Sequence, residues 1–402
     1  MLYVNDSSRV WHVAKSGNDA NGGHAGQYPV NLANDAKLTI GAAVSAASDG
    51  DTIIIWPGTY EESIDIGSKA LNITGTHRSI CKIAPATGTA LTVGSNTTIK
   101  NLNLEGLQQL ASIWGLRIGH GSGSPASNVI VDNCICNGYY DGCAAAYSKN
   151  VKLSNSIFIG GDGLTVLDAE KTIIDNCIIQ TSDPVVDTAN DHSGLLGSSK
   201  SLVIRNSIIK AIRGDANAKG LRGIRCDDST YIALQNCIID VYMPLATGVA
   251  YGIHVYQSGA PPFTQSQVVL ENCTFKMYAP YASAKADIYA SNGSVVVHNC
   301  NYSIAQGTVI QSDSGWSNAL GAALFTNGAA NKLKIDAAGA VDASNLGDID
   351  LTLLHKAAKM LLNKAVQDKL TGEIQYFDDD GQTVIATHTP DEDESSFTRT
   401  AS

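Results

Sequence analysis

Val129-Ile130-Val131-Asp132-Asn133-Cys134-Ile135 decides the fold, because the chain writes this line seven times. The other copies end in Asn155-Ser156-Ile157, Asn176-Cys177-Ile178, Asn206-Ser207-Ile208, Asn236-Cys237-Ile238, Asn272-Cys273-Thr274 and Asn299-Cys300-Asn301. Two residues before each Asn stands an aliphatic side chain: Val131, Leu153, Ile174, Ile204, Leu234, Leu270, Val297. The residue just before it is polar: Asp132, Ser154, Asp175, Arg205, Gln235, Glu271, His298. Alternation with a period of two describes a strand with one buried face.

A second landmark precedes each copy. Gly115-Leu116, Gly142-Cys143, Gly163-Leu164, Gly194-Leu195, Gly223-Ile224 and Gly252-Ile253 each open a short apolar run, and Asp287-Ile288 takes that place in the seventh. The interval from landmark to Asn is 12 or 13 residues in five of the seven units. Each repeat therefore holds at least two short strands and no crossover helix. A repeat that cannot bury its own apolar face must stack on its neighbours, which makes a solenoid. Rungs about 4.8 Å apart place the seven Asn in a column. Their amides can bond from rung to rung, and Asn tolerates the left-handed corner.

These features resemble the pectate-lyase-like superfamily of right-handed parallel β-helices. The resemblance implies an all-β right-handed parallel β-helix solenoid with an internal Asn ladder (Asn133, Asn155, Asn176, Asn206, Asn236, Asn272, Asn299) at one corner. Residues 1–66 read as an entry module. In it, Trp11 to Gly22 is a strand and loop, and a helix from Leu38 to Ala47 puts Ile40, Val44 and Ala47 on one face. That helix would cover the open end of the coil, where unpaired edges invite aggregation. Ser16-Gly17-Asn18-Asp19 followed by Pro57-Gly58-Thr59-Tyr60 resembles the start of many parallel β-helix proteins. Residues 67–314 form the body, with Asn101 as an earlier rung, and 315–347 form terminal strands including Lys332–Asp336. Residues 348–402 read as a helix over Leu351–Lys369, a hairpin about Asp380-Gly381 and a polar acidic tail from Pro390.

Charge and cysteine usage narrow the partners. Of the net charge of -11, the stretch from Gly372 carries -7 (eight acids against Arg399) and the rest -4. That balance argues against duplex nucleic acid. No apolar run is long enough for a membrane span. Met1–Asp6 has neither a basic nor an apolar region, so no signal peptide is expected. Five of the nine Cys follow a ladder Asn, where Ser stands in the other copies, so they read as buried free thiols in a slot for small side chains. No metal site is expected, since paired Cys/His spacing is missing.

Chemistry belongs beside the long loops. The interval from Asn to the next landmark is 8 or 9 residues after Asn133 and Asn155 but 15 to 18 after Asn176, Asn206, Asn236 and Asn272, so four rungs raise one wall of a groove. With Leu116, Leu164, Ile224, Ile253 and Ile288 inward, Arg117, Thr165, Arg225, His254 and Tyr289 point outward. The catalytic candidates are Asp187, Asp191, His192, Arg225, Asp227 and His254, and the carbohydrate-binding candidates are Arg213, Asp215, Arg222, Tyr256 and Tyr289. Such groups serve glycoside hydrolysis, lyase chemistry or binding alone. Gly119-His120-Gly121 and Asp227-Asp228 occur in the reverse of the polygalacturonase order, and the Arg-x-Pro-x-x-Arg string of pectate lyases is absent.

Residues 359–390 resemble the C-terminal stretch of tailed-phage virion proteins. That resemblance implies a virion structural protein, a tailspike-like receptor or polysaccharide binder or a capsid-surface decoration protein. It would be a homotrimer that meets other virion proteins through residues 348–402 and a host surface polysaccharide through the groove. The alternative is a secreted polysaccharide lyase or glycoside hydrolase acting on an acidic polysaccharide. No cofactor is expected, and calcium enters only under the lyase alternative.

Overall fold

The computed structural model describes residues 7–311 except 25–30, 108–112, 183–190, 215–218, 228–230 and 257–266. It also describes the backbone of 325–326, 332–335, 341–342, 365–367, 374–377, 384–393 and 396–401. The chain forms two compact units, Met1–Gly315 and Trp316–Ser402.

The first unit is the expected all-β right-handed parallel β-helix. Each turn carries three strands, one more than the least number the spacing required. The ladder strand (Lys149–Ser154, for example) precedes the Asn, a second strand (Ile157–Gly160) follows the corner, and the glycine strand (Asp162–Ala169) closes the turn. The second strand reads from the sequence as Ile-Phe-Ile-Gly, another two-residue alternation. Two columns fill the core in register. Val131, Leu153, Ile174, Ile204, Leu234, Leu270 and Val297 stack from rung to rung. So do Leu116, Cys143, Leu164, Leu195, Ile224, Ile253 and Ile288 on the glycine strands. Every one of these fourteen side chains is 0% exposed.

The Asn column has the left-handed corner and the amide bonds expected of it, but lies on the other side of the wall. All seven, and Asn101 below them, sit at φ between 48° and 56°. Side chains of the ladder bond along the axis, as in Asn176 Nδ2 to Asn155 Oδ1 at 2.8 Å and Asn299 Nδ2 to Asn272 Oδ1 at 2.7 Å. Two rungs donate instead to the preceding turn's Asp: Asn155 to Asp132 and Asn206 to Asp175. The ladder is on the outside, with six of the seven Asn exposed, so it is not the internal ladder that the resemblance implies. Asn is there because a corner in the left-handed region penalises a Cβ-branched or bulky residue, while a short polar side chain stabilises it. Asn236→Leu is expected to cost about 1–2 kcal/mol and Asn236→Gly less than half of that, read from urea or thermal unfolding. Equal costs would show that the amide ladder, not the backbone corner, sets the residue.

The buried ladder is the next residue. The Cys or Ser donates to the carbonyl two residues earlier: Ser156 Oγ to Ser154 O at 2.6 Å, Cys177 Sγ to Asp175 O at 3.4 Å. It also accepts from the rung below, as Ser207 Oγ does from Cys177 N at 3.1 Å and Cys300 Sγ from Cys273 N at 3.2 Å. Smallness alone does not explain the slot; it calls for a small donor–acceptor that satisfies buried backbone groups. All nine cysteines are free, and Cys300 alone is only half-buried. Burial pushes the Cys134 thiol up to about 12 and Cys177 to about 11, so these are packing groups and not nucleophiles.

The glycine landmark answers a close approach. A Cβ on Gly115, Gly142, Gly163, Gly194 or Gly223 falls 2.6–2.8 Å from the carbonyl oxygen of the corresponding residue one rung on. At the seventh rung Asp287 takes the place, and its Oδ2 accepts from Ser303 N and Ile304 N, where the regular coil ends.

The helix of the entry module spans Ile40–Ala46, with Ile40, Ala43 and Val44 buried and Ala47 buried beside it. Its first amides are held by Glu62, which accepts from Ile40 N and Gly41 N at 2.9 Å. Its last carbonyls are held by Lys69 Nζ, at 2.6 Å from Val44 O and 2.8 Å from Ala47 O. Both charges complement the helix dipole.

In the second unit Lys332–Ile335 is a strand as expected, between Phe325–Thr326 and Val341–Asp342. The hairpin about Asp380-Gly381 joins Ile374–Phe377 to Val384–Asp393. Two expectations are corrected. Ala365–Gln367, placed at the end of the helix over Leu351–Lys369, is a strand paired with Ile374–Phe377; residues 351–364 lie outside the described residues. The stretch from Pro390 is not a loose tail, since Ser396–Ala401 pairs with His388–Asp393. Thr398-Arg399-Thr400 alternates with β-favouring residues, and an antiparallel partner overrides a weak helical period.

Candidate functional site

The glycine strands present two outward columns. The first runs Arg117, Ala144, Thr165, Leu196, Arg225, His254, Tyr289 in register. The second is the residue just before each landmark: Trp114 pairs with Asp141 and Asp141 with Asp162. Further along, Ser193 pairs with Arg222 and Arg222 with Tyr251. Strand pairing therefore builds a strip of polar and aromatic groups along the solenoid axis.

Seven of the candidates from sequence meet at one end of the strip. Arg222, buried, donates from Nε to His254 Nδ1 at 2.9 Å. Its Nη1 lies 2.9 Å from Asp191 Oδ2, an ion pair that is close but not directed as a hydrogen bond. Arg225 grips Asp227 with two nitrogens, Nε to Oδ1 at 2.9 Å and Nη2 to Oδ2 at 2.7 Å. The His254 ring stacks on Tyr289 (5.0 Å, 20°), and Tyr251 stacks on Tyr289 from the neighbouring column (4.7 Å, 26°). Tyr256, 37% exposed, tilts against His254 at the rim.

These contacts settle the state of His254. A guanidinium Nε–H only donates, so Nδ1 must hold a lone pair and the proton sits on Nε2. Ser291 Oγ gives its own proton to Val255 O at 2.9 Å and is therefore an acceptor for Nε2–H, across a long 3.5 Å. Burial first, then Arg222 and Arg225, lower the His254 pKa to about 4. The imidazole is neutral at pH 7 with both nitrogens engaged. Burial and Tyr289 push the Tyr251 hydroxyl upward, so it is not a phenolate base either.

The shifted His254 predicts an acid-sensitive fold. Unfolded, it takes its proton near 6.5; folded, only near 4. The unfolded state therefore binds more protons between those values, and stability falls as pH drops through the window. The expected loss is about 1–2 kcal/mol after solvent screening. His254→Gln, whose amide oxygen accepts from Arg222, should flatten the curve in urea titrations at pH 4 to 7.

The other candidates lie elsewhere. His192 is buried, with Nδ1 3.7 Å from Asp162 Oδ1, two rungs from His254. Arg213, read as a sugar contact, is 0% exposed, and its backbone N–H is bonded to Tyr242 O; a side chain so enclosed does not face a ligand. Asp187 and Asp215 lie outside the described residues. The second strands after Asn206, Asn236 and Asn272, Ile208–Ile212, Ile238–Tyr242 and Thr274–Tyr278, are each one residue longer than Ile157–Gly160 and Ile178–Thr181.

Asp141 was not foreseen. It is buried, receives Trp114 Nε1 on Oδ2 at 2.9 Å, and stands in register with Asp162. Burial, then the like charge of Asp162, push its carboxyl well above the usual range. The signal was legible: Trp114, Asp141, Asp162, Ser193, Arg222 and Tyr251 all directly precede a landmark glycine. Among the described residues no group of three or more His, Cys, Asp or Glu is placed to hold a metal ion.

No curated protein sequence matches the chain. Among solved structures, pectin methylesterase from carrot is 13% identical, with a TM-score of 0.46 over 68% of this chain and 87% of that one. Alginate lyase from Paenibacillus sp. str. FPU-7 is 13% identical, with a TM-score of 0.45 over 67% and 95%. DFA-IIIase from Arthrobacter chlorophenolicus A6 is 10% identical, with a TM-score of 0.46 over 76% and 92%. The family model described as the right handed beta helix region matches residues 115–304, the span that carries both landmarks.

Proposed function

We propose that this chain is a virion surface protein, of the tailspike or capsid-decoration kind, that binds an acidic polysaccharide on the outer face of its glycine strands. The observation that carries the binding reading is how fully the cluster's basic groups are engaged. His254 uses Nδ1 for Arg222 and Nε2 for Ser291, while Asp191 and Asp227 each face an arginine. A general base needs a lone pair open to substrate. Rings and guanidinium groups held in place suit instead a sugar whose C–H face lies on an aromatic ring and whose carboxylate meets arginine. The resemblance of residues 359–390 supports the virion assignment, with trimerisation and attachment through the C-terminal unit.

The test uses the full-length protein and immobilised acidic bacterial polysaccharides. Retention without any fall in polymer length is expected, and light scattering should give a trimer. Truncation after Gly315 should keep glycan retention and lose the trimer. No retention on any acidic polymer sinks the binding reading; an unaltered trimer after truncation sinks the role of the C-terminal unit.

One observation favours hydrolysis as a second reading. Asp141 and Asp162 stand opposite each other on neighbouring strands, and a strand spacing of about 4.8 Å is close to the carboxyl separation of about 5–5.5 Å in retaining glycosidases. Burial pushes the Asp141 carboxyl upward, as a general acid needs. Release of reducing ends that Asp162→Asn abolishes would establish this reading in place of simple binding.

A further inference from the structure

Two composites of the same chemistry stand on the same two columns, their nearest members, Arg117 and Arg225, four rungs apart. At the far end are Tyr251, His254 and Tyr289 with Arg222 and Arg225. At the near end are Trp114, Tyr140 and Arg117. The Arg117 guanidinium lies 4.8 Å over the Trp114 ring, and Tyr140, 51% exposed, meets that ring edge-on at 6.4 Å and 84°. The indole is also tied by Nε1 to Asp141. A half-exposed Trp held by a cation, a buried carboxyl and an aromatic edge is a rigid corner with a positive rim.

What lies between the composites is mostly small. In the first column the rungs from Arg117 to Arg225 are Ala144, Thr165 and Leu196, and both Ala144 and Thr165 are buried. From Arg117 to Arg225 is four rung steps, about 19 Å, and from Trp114 to Tyr251 five, about 24 Å, at a strand spacing of about 4.8 Å.

We propose that Trp114, Tyr140 and Arg117 form a second, distal sugar subsite. On this proposal the ligand is a linear oligouronate lying along the solenoid axis, with one sugar on the Trp114–Tyr140 corner and another on the Tyr251–Tyr289 stack. This rests on the carbohydrate-binding reading above and adds the direction of the chain, its least length and the need for carboxylates at both ends. Neither pad alone holds a disaccharide well, because only a longer chain engages both, and the second contact then forms at high effective concentration.

The probes are size-fractionated oligouronates of two, four, six and eight sugars, prepared from polygalacturonate, alginate and hyaluronate, with neutral malto-oligosaccharides of equal length. Binding is read by tryptophan fluorescence and calorimetry on the full-length protein. For at least one oligouronate series, Kd should fall at least tenfold between two and six sugars and then level off, while the neutral series binds at least tenfold more weakly. Tyr140→Ala and Arg117→Gln, both surface changes that leave the Trp114–Asp141 bond in place, should each cut the gain in affinity between two and six sugars at least threefold. Equal affinity at every length, or a length dependence that neither variant alters, overturns the distal subsite while leaving the binding reading intact. No binding by any oligouronate overturns both.

Discussion

Gly223→Ala should be among the most damaging single-methyl changes in the body of the solenoid, costing about 3 kcal/mol or more. The added Cβ would stand 2.6 Å from Gly252 O and still closer to Ile239 Cγ2. Neither neighbour is a flexible chain end. Gly252 O is backbone in the next rung, and Ile239 is a 0% exposed core residue of the second strand. Relief would require moving a rung within its sheet, and close-packed interiors transmit such strain instead of absorbing it. Gly123→Ala is the matched control, since nothing lies within 4 Å of a Cβ there, and a surface change of this kind stays within about 0.5 kcal/mol. Thermal and urea unfolding of the pair should separate them clearly. A Gly223→Ala protein as stable as the control would mean that the landmark glycines are not set by rung-to-rung approach.

Because a β-helix repeats its own grammar, most of this fold was readable as a line of text. Val131 and its six equivalents fix the register, and the structure stacks them as the alternation requires. What the line could not show was which side of the wall a polar residue occupies. Asn and the Cys or Ser after it adjoin in sequence, yet the corner between them sends one to solvent and the other to the core. The site was legible in part for the same reason. Arg225, His254 and Tyr289 follow from alternation along the glycine strand. Asp141, Asp162 and Tyr251 share with Arg222 the place before the glycine, but of these only Arg222 was read as a candidate, because alternation counted from the inward residue after the glycine does not single that place out. Arg213 misled because a charged residue beside a long loop reads as surface, whereas its side chain is enclosed. In the C-terminal unit, the helical period ending at Ala365 was overruled by a strand partner nine residues on, and such pairing is invisible to local spacing.

Arg222→Met should have the largest effect on function. Arg222 is the one group that touches both sides of the cluster: it donates to His254 and faces Asp191, itself about a third exposed. Met fills much of the same volume, so the loss is of charge and hydrogen bonds rather than of packing. Removing one partner of a well-buried pair costs about 3–5 kcal/mol, and the partial exposure of Asp191 lowers the expectation to about 1–3 kcal/mol. The diagnostic signature lies in the pH profile. Arg222 is one of the charges that hold His254 down to about 4. Without it the imidazole should titrate closer to 6.5, and the window over which acid destabilises the fold should narrow from below. His254 would then take its proton at a higher pH than in the unchanged protein, although burial still holds it below 6.5, and its ring nitrogens would no longer be fixed by a donor on one side. Affinity for an acidic polysaccharide should fall at least tenfold at pH 7, while His254→Gln, which preserves the Arg222 contact, should fall less. A variant that binds as tightly as the unchanged protein, with the same acid profile, would remove Arg222 from the site and with it the case for ligand recognition at this end of the strip.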